Sequence, residues 1–230
     1  PYLASGTSLR QVVFGVDVDY WRAGDAQAGR ALLGVDAEVP VLVCPSRLSE
    51  RKGQLDLVRA VAGARESWPV DQPPVVVFTG SVNSGSVAYL QSLETLIRDC
   101  GLTGSVRLRL EQDRDDLRDL LAAADIVVQP SHFEGLGTAA LEAMAAGAAV
   151  LLTRTTGFDE IATSAEAYFV DVADPPQLAA GLVALLRDPE LRRRLGQHAQ
   201  RRIRERYSAR TTGKQLEKIY REVVTGTGSG

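Results

Sequence analysis

Two cysteines, two histidines and one methionine are scattered over 230 residues. Cys44 and Cys100 are too few for a disulfide framework, which points to a reduced, cytoplasmic chain. His132 and His198 join no Cys/His/Asp cluster at ligand spacing, so no metal site is read. His198 lies in a basic segment where solvation is the plain reading, and His132 alone is no catalytic constellation. A serine elbow, a Walker loop and a GxGxxG fingerprint are all missing. No apolar run approaches the roughly 18 residues that cross a bilayer. The longest, 139–152, is broken by Glu142 and Gly147. No basic-then-apolar leader opens the chain. Internal repeats are absent, and low complexity is confined to Gly226–Gly230, read as a flexible tail or an expression remnant.

Apolar residues make up 45% and charged residues 24%, the balance of a globular protein rather than a disordered or collagen-like one. At about 150 residues per domain, the length suits one large domain or two small ones. The net charge of −3 hides an asymmetry. Residues 187–222 carry 12 Lys/Arg against 5 Asp/Glu, a net +7 that leaves −10 elsewhere. Such a stretch is either a solvated helix face or a contact for phosphates or an anionic membrane.

Short continuous apolar runs occur at 41–44, 75–78, 106–110, 126–128, 149–152 and 168–170. Continuous rather than alternating runs suit strands covered on both faces, as in a parallel sheet. Val12–Phe14 reads as one more short strand. Helical stripes lie between the runs: Leu55, Val58, Val61 and Ala62; Leu90, Leu93 and Ile97; Leu117, Leu120 and Leu121; Leu178, Leu182, Leu185 and Leu186. Asp174-Pro175 and Asp188-Pro189 each resemble an N-cap followed by proline at the first helical position. The expectation is an α/β, doubly wound, six-stranded parallel sheet with C-terminal helices outside it. The chain then divides into a leading hinge or linker at 1–22, a Rossmann-like unit at 23–190, helices packed on it at 191–225, and a tail at 226–230.

Open α/β sheets bind ligands at the carboxyl ends of their strands, so the loops after strands are the place to search. After the first strand comes Pro45-Ser46-Arg47-Leu48-Ser49-Glu50-Arg51-Lys52-Gly53. Arg47 and Lys52 there suit a diphosphate, through charge-assisted hydrogen bonds; an ordinary polar loop would look the same. After the fourth run comes Gln129-Pro130-Ser131-His132-Phe133-Glu134-Gly135-Leu136-Gly137-Thr138. Amides at that helix start can face a phosphate. Glu134 and Glu142 are better placed to accept from sugar hydroxyls than to meet phosphates of like charge. Glu142, among Leu141, Ala143, Met144 and Ala145, needs a partner. The loop 153–160 either lines the same crevice or merely connects.

These segments together resemble the C-terminal, nucleotide-sugar-binding domain of retaining family 4 glycosyltransferases with the GT-B fold. Arg47-Leu48 with Lys52-Gly53 is similar to that family's GRL-x-x-x-KG segment. Glu134 to Glu142 is similar to its E-x7-E motif, and Phe14-Gly15-Val16-Asp17 to its hinge signature. The resemblance implies that Arg47 and Lys52 neutralise the leaving diphosphate and that Glu134 faces the donor sugar. It also implies that Glu142 holds the ribose hydroxyls, that Gly135, Leu136, Gly137 and Thr138 bind sugar and phosphate through their amides, and that the base meets backbone near Leu110. No metal or separate cofactor is implied, the nucleotide-diphosphate-sugar being the substrate, and the sugar keeps its anomeric configuration. Ser46 and Leu110 stand where the family usually has glycine. The loop 80–85 replaces its short Gly-Asp-Gly turn.

A whole enzyme of this kind has two such domains. The chain is therefore read as a donor-binding half lacking its N-terminal acceptor domain, inactive alone, with no nucleic-acid partner and with peripheral contact at the inner face of a membrane through its basic helices. The other readings are a stand-alone nucleotide-sugar-binding module, a GT-B epimerase or phosphorylase, and a nucleic-acid binder.

Overall fold

The computed structural model describes residues 10–69, 72–82 and 84–225. The expected tail at 226–230 and the first nine residues of the leading segment lie outside them. Six strands form one parallel sheet: β1 (Val41–Pro45), β2 (Val75–Gly80), β3 (Val106–Leu110), β4 (Ile126–Gln129), β5 (Val150–Thr153) and β6 (Tyr168–Val170). Their order is β3-β2-β1-β4-β5-β6. The register pairs Val41 with Val75 and Leu42 with Ile126.

The central strands are buried on both sides, which is why their sequences are continuous apolar runs. Alternate residues serve opposite cores. Val41 and Val43 face one, shared with α1 (Val18–Arg22), α2 (Ala26–Leu33), α5 (Arg114–Ala123), α6 (Thr138–Ala146), α7 (Thr156–Ile161) and α9 (Pro189–Arg206). Leu42 and Cys44 face the other, under α3 (Gln54–Gly63), α4 (Val87–Asp99) and α8 (Pro175–Arg187). Both cysteines are free, and burial pushes the Cys44 thiol up to about 12. The last helix, α10 (Ala209–Thr225), has no buried residue. No helix among the described residues is long and apolar enough to cross a membrane.

The Asp-Pro caps form as expected. Asp174 accepts from the amide of Gln177 at 2.9 Å, and Asp188 from that of Leu191 at 2.8 Å. The α3 stripe packs as expected, with Val58 and Val61 buried and Leu55 and Ala62, half-buried, against the same core, which Leu57 and Ala60 also join. Two expectations are corrected. Residues 12–14 are not a strand: the β-pairing near them is an isolated bridge, Val16 to Ser208, beside which Gly15 lies so close that a Cβ would sit 2.4 Å from the Ser208 carbonyl oxygen. His198 is half-buried rather than solvated.

Candidate functional site

Strand order reverses between β1 and β4, so the crevice of this fold opens at their carboxyl ends. The two loops flanking it are stitched together. Gln129 donates to the Pro45 carbonyl at 2.7 Å, and the His132 amide to the Arg51 carbonyl at 2.8 Å. Gly53 has φ +66°, and a Cβ there would fall 1.9 Å from the Pro130 carbonyl oxygen. Only glycine lets the loops approach this closely.

Across that contact, Lys52 Nζ donates to Glu134 Oε2, with each side chain 12% exposed. Arg47, by contrast, is exposed and makes no ion pair among the described residues. Its carbonyl, with the Ser46 hydroxyl, is held by the buried Gln54 amide at 2.9 Å. The structure thus brings together Lys52 and Glu134 and leaves Arg47 at the rim.

Beyond Glu134, Gly137 in a left-handed conformation caps α6. The amides of Gly135, Leu136, Gly137 and Thr138 donate to no protein acceptor among the described residues. They sit at a helix start, where the dipole favours an anion. The segment 153–160, which enters α7 at Thr156, lines the same crevice: the Gly157 amide donates to the Glu134 carbonyl at 3.2 Å, and a Cβ on Gly157 would meet the Gly135 carbonyl oxygen at 2.5 Å.

Glu142 lies further along α6, half-buried and without a hydrogen-bond partner among the described residues. Burial pushes its carboxyl up from 4.5 to about 7, with the Arg114 guanidinium acting against the shift. Arg114 itself stacks over Tyr20 at 4.4 Å and Trp21 at 5.3 Å. Leu110 ends β3, two strand spacings or roughly 10 Å from β1. The left-handed residue there is its neighbour Glu111 (φ 58°), whose amide donates to Gly80 and whose carboxylate accepts from the Val82 amide.

Sequence reasoning missed Gln54, Asp56 and Arg114. Asp56 was findable: a carboxylate between Leu55 and Leu57 raises the same question as Glu142. It accepts from Arg59 at 3.0 Å and lies 2.6 Å from His132 Nε2. The other two depend on contacts between distant segments, which spacing does not reveal.

A parallel, doubly wound sheet with an acceptor-free helix start at its switch point defines a Rossmann-like unit. The chain belongs to the family of glycosyl transferases group 1, whose model matches residues 27–202. It is 33% identical over 226 residues to a D-inositol 3-phosphate glycosyltransferase of Corynebacterium jeikeium, covering 96% of this chain and 54% of that protein. It therefore spans about half the length of the curated relatives it matches. Among solved structures, sucrose-phosphate synthase from Thermosynechococcus elongatus superposes with TM-score 0.85 at 23% identity, over 98% of this chain and 55% of that one. Anabaena HepE in complex with UDP-glucose superposes with TM-score 0.83 at 24% identity, over 92% and 57%. These two likenesses establish the fold.

Proposed function

We propose that this chain is the donor-binding half of a retaining, family 4-type glycosyltransferase, occupying the C-terminal part of the whole enzyme. The observation that carries the reading is the meeting of Lys52, Glu134 and the acceptor-free amides of Gly135–Thr138 at the strand-order reversal. A nucleotide-diphosphate-sugar fits that chemistry. Its diphosphate gains negative charge as the glycosidic bond breaks, and fixed cations and amides stabilise charge where it develops. Lys52, joined by Arg47 swinging in from the rim, meets the diphosphate. Glu134 faces the sugar, Glu142 the ribose, and the backbone at Leu110 and Glu111 the base. The roughly 10 Å between β1 and β3 matches the reach from a diphosphate to a base. No separate cofactor is invoked, and the sugar leaves with its anomeric configuration kept.

The acceptor is proposed to bind on a second, N-terminal domain, so this chain alone binds donor without transferring sugar. Leu216, Tyr220, Val223 and Val224 of α10 are exposed and give that domain an apolar surface to cover. The whole enzyme is placed in the cytoplasm, with its basic helices at the inner face of a membrane. A thermal-shift panel of UDP, GDP, ADP and TDP with their sugars tests the reading. A ligand at 100 times its Kd adds about 2.7 kcal/mol of stability. No shift with any of them would remove the donor-site assignment.

A further inference from the structure

The first turn of α3 presents two buried polar side chains, Gln54 at 0% and Asp56 at 9% exposure. Gln54 serves its own loop, holding Ser46 and Arg47 and accepting from the Tyr89 hydroxyl at 2.9 Å. Asp56 looks across the crevice. Its Oδ2 lies 2.6 Å from His132 Nε2, while Oδ1 accepts from Arg59. Lys52 stands four residues before Asp56, and Glu134 two residues after His132. Lys52–Glu134 and Asp56–His132 are therefore two side-chain rungs between the same two segments.

The rungs differ in what a bound diphosphate does to them. A diphosphate competes for Lys52 and opens the first. The second involves no group that meets the ligand. The backbone of the β4–α6 loop is held by the His132 amide on the Arg51 carbonyl, the Thr153 hydroxyl on the Ser131 carbonyl and the Gly157 amide on the Glu134 carbonyl, none of which ties it to α3. With Lys52 drawn to the ligand, Asp56–His132 is the side-chain hydrogen bond that still joins this loop to the start of α3 among the described residues, beside the looser stacking of Arg51 over Phe133 at 5.9 Å, and it holds Glu134 and the amides of Gly135–Thr138 towards the crevice. Solvation of Asp56 does not require it, since Arg59 already supplies a charged partner.

On these grounds we infer that Asp56, acting through His132, is a positioning residue for donor binding, an inference that rests on the donor-site reading above. It takes effect when Lys52 changes partner, so its loss weakens ligand binding more than it weakens the fold.

Calorimetry with UDP, GDP, ADP and TDP on the wild-type chain, Asp56→Asn, His132→Ala, the double variant, His132→Gln and Arg59→Ala tests this, with melting temperatures recorded in parallel. Asp56→Asn and His132→Ala are each expected to lose about tenfold in affinity for the diphosphate the wild type binds, the size of one lost charged hydrogen bond. The double variant loses no more than either, because the two act as one unit. His132→Gln, which keeps a donor, and Arg59→Ala both stay near wild type. Additive losses, or a His132→Gln as weak as His132→Ala, would overturn the inference, as would unchanged affinity in Asp56→Asn. A wild type that binds no nucleoside diphosphate would sink the donor-site reading and this inference with it. A wild type that binds, with every variant equal to it, sinks this inference alone.

Discussion

Lys52 meets any incoming ligand already partnered by Glu134. On the donor-site proposal, a nucleoside diphosphate displaces that carboxylate, which then stands beside the diphosphate. Glu134→Gln is therefore expected to raise affinity for the bare nucleoside diphosphate severalfold, while Lys52→Ala lowers it about tenfold or more, on the scale of a charge-assisted hydrogen bond. Isothermal titration of both variants decides it; a Glu134→Gln that binds more weakly than wild type overturns the assignment of Lys52 to the phosphates. Glu142 makes a different prediction, through pH. Its folded carboxyl titrates near 7, above its ordinary 4.5, so the folded state holds the extra proton between those values. Stability from this group is then full below pH 4.5 and falls as pH rises towards 7, by at most about 3 kcal/mol. Glu142→Gln should raise the melting temperature at pH 8 and change it little at pH 4.5. Equal effects at both pH values would contradict the burial argument.

At the scale of elements, the strands and the proline-capped helices were legible because each depends on local chemistry. A strand covered on both faces must be apolar along its length. An aspartate before Pro175 or Pro189 satisfies amides that nothing else can reach. Asp188→Ala should accordingly cost about 1 kcal/mol, visible as an earlier thermal or urea midpoint. The Val12–Phe14 segment misled because three apolar residues resemble a strand, yet its backbone finds Thr212 and the turn before α10 instead of the sheet. The site was legible in part. Lys52, Glu134 and the glycine-led helix start could be picked out by residue type and by their place after strands. The Asp56–His132 contact joins residues 76 positions apart, and no local pattern encodes such a pairing. Arg114 beside Glu142 escaped notice for the same reason.

For the molecule as a whole, the +7 of residues 187–222 is less available than the sequence suggests. Arg192 turns inward to the Leu185 and Leu186 carbonyls and Asp125. Arg202 donates to the Ile161 carbonyl at 2.7 Å, and Arg193 pairs with Glu190. Within α9, Arg194, Arg201, Arg204 and Arg206 remain exposed without an ion pair among the described residues. At about 1 kcal/mol per basic group near an anionic surface, these four support weak, salt-sensitive association. Flotation with anionic liposomes at low salt should carry part of the chain upward, and Arg201→Glu with Arg204→Glu should abolish it. Sedimentation of all the wild-type protein away from the vesicles would end the membrane proposal.

The bridge between Val16 and Ser208 has a topological consequence. The Val16 amide donates to the Tyr207 carbonyl, and the Ala209 amide to the Val16 carbonyl. The backbone thus enters and leaves the sheet unit at one spot, and everything between is a closed circuit. A unit with adjoining ends can be spliced into a surface loop of another protein, or have its ends fused and be reopened at an exposed turn, at small entropic cost. The six strands and their crevice are in this sense a transplantable module.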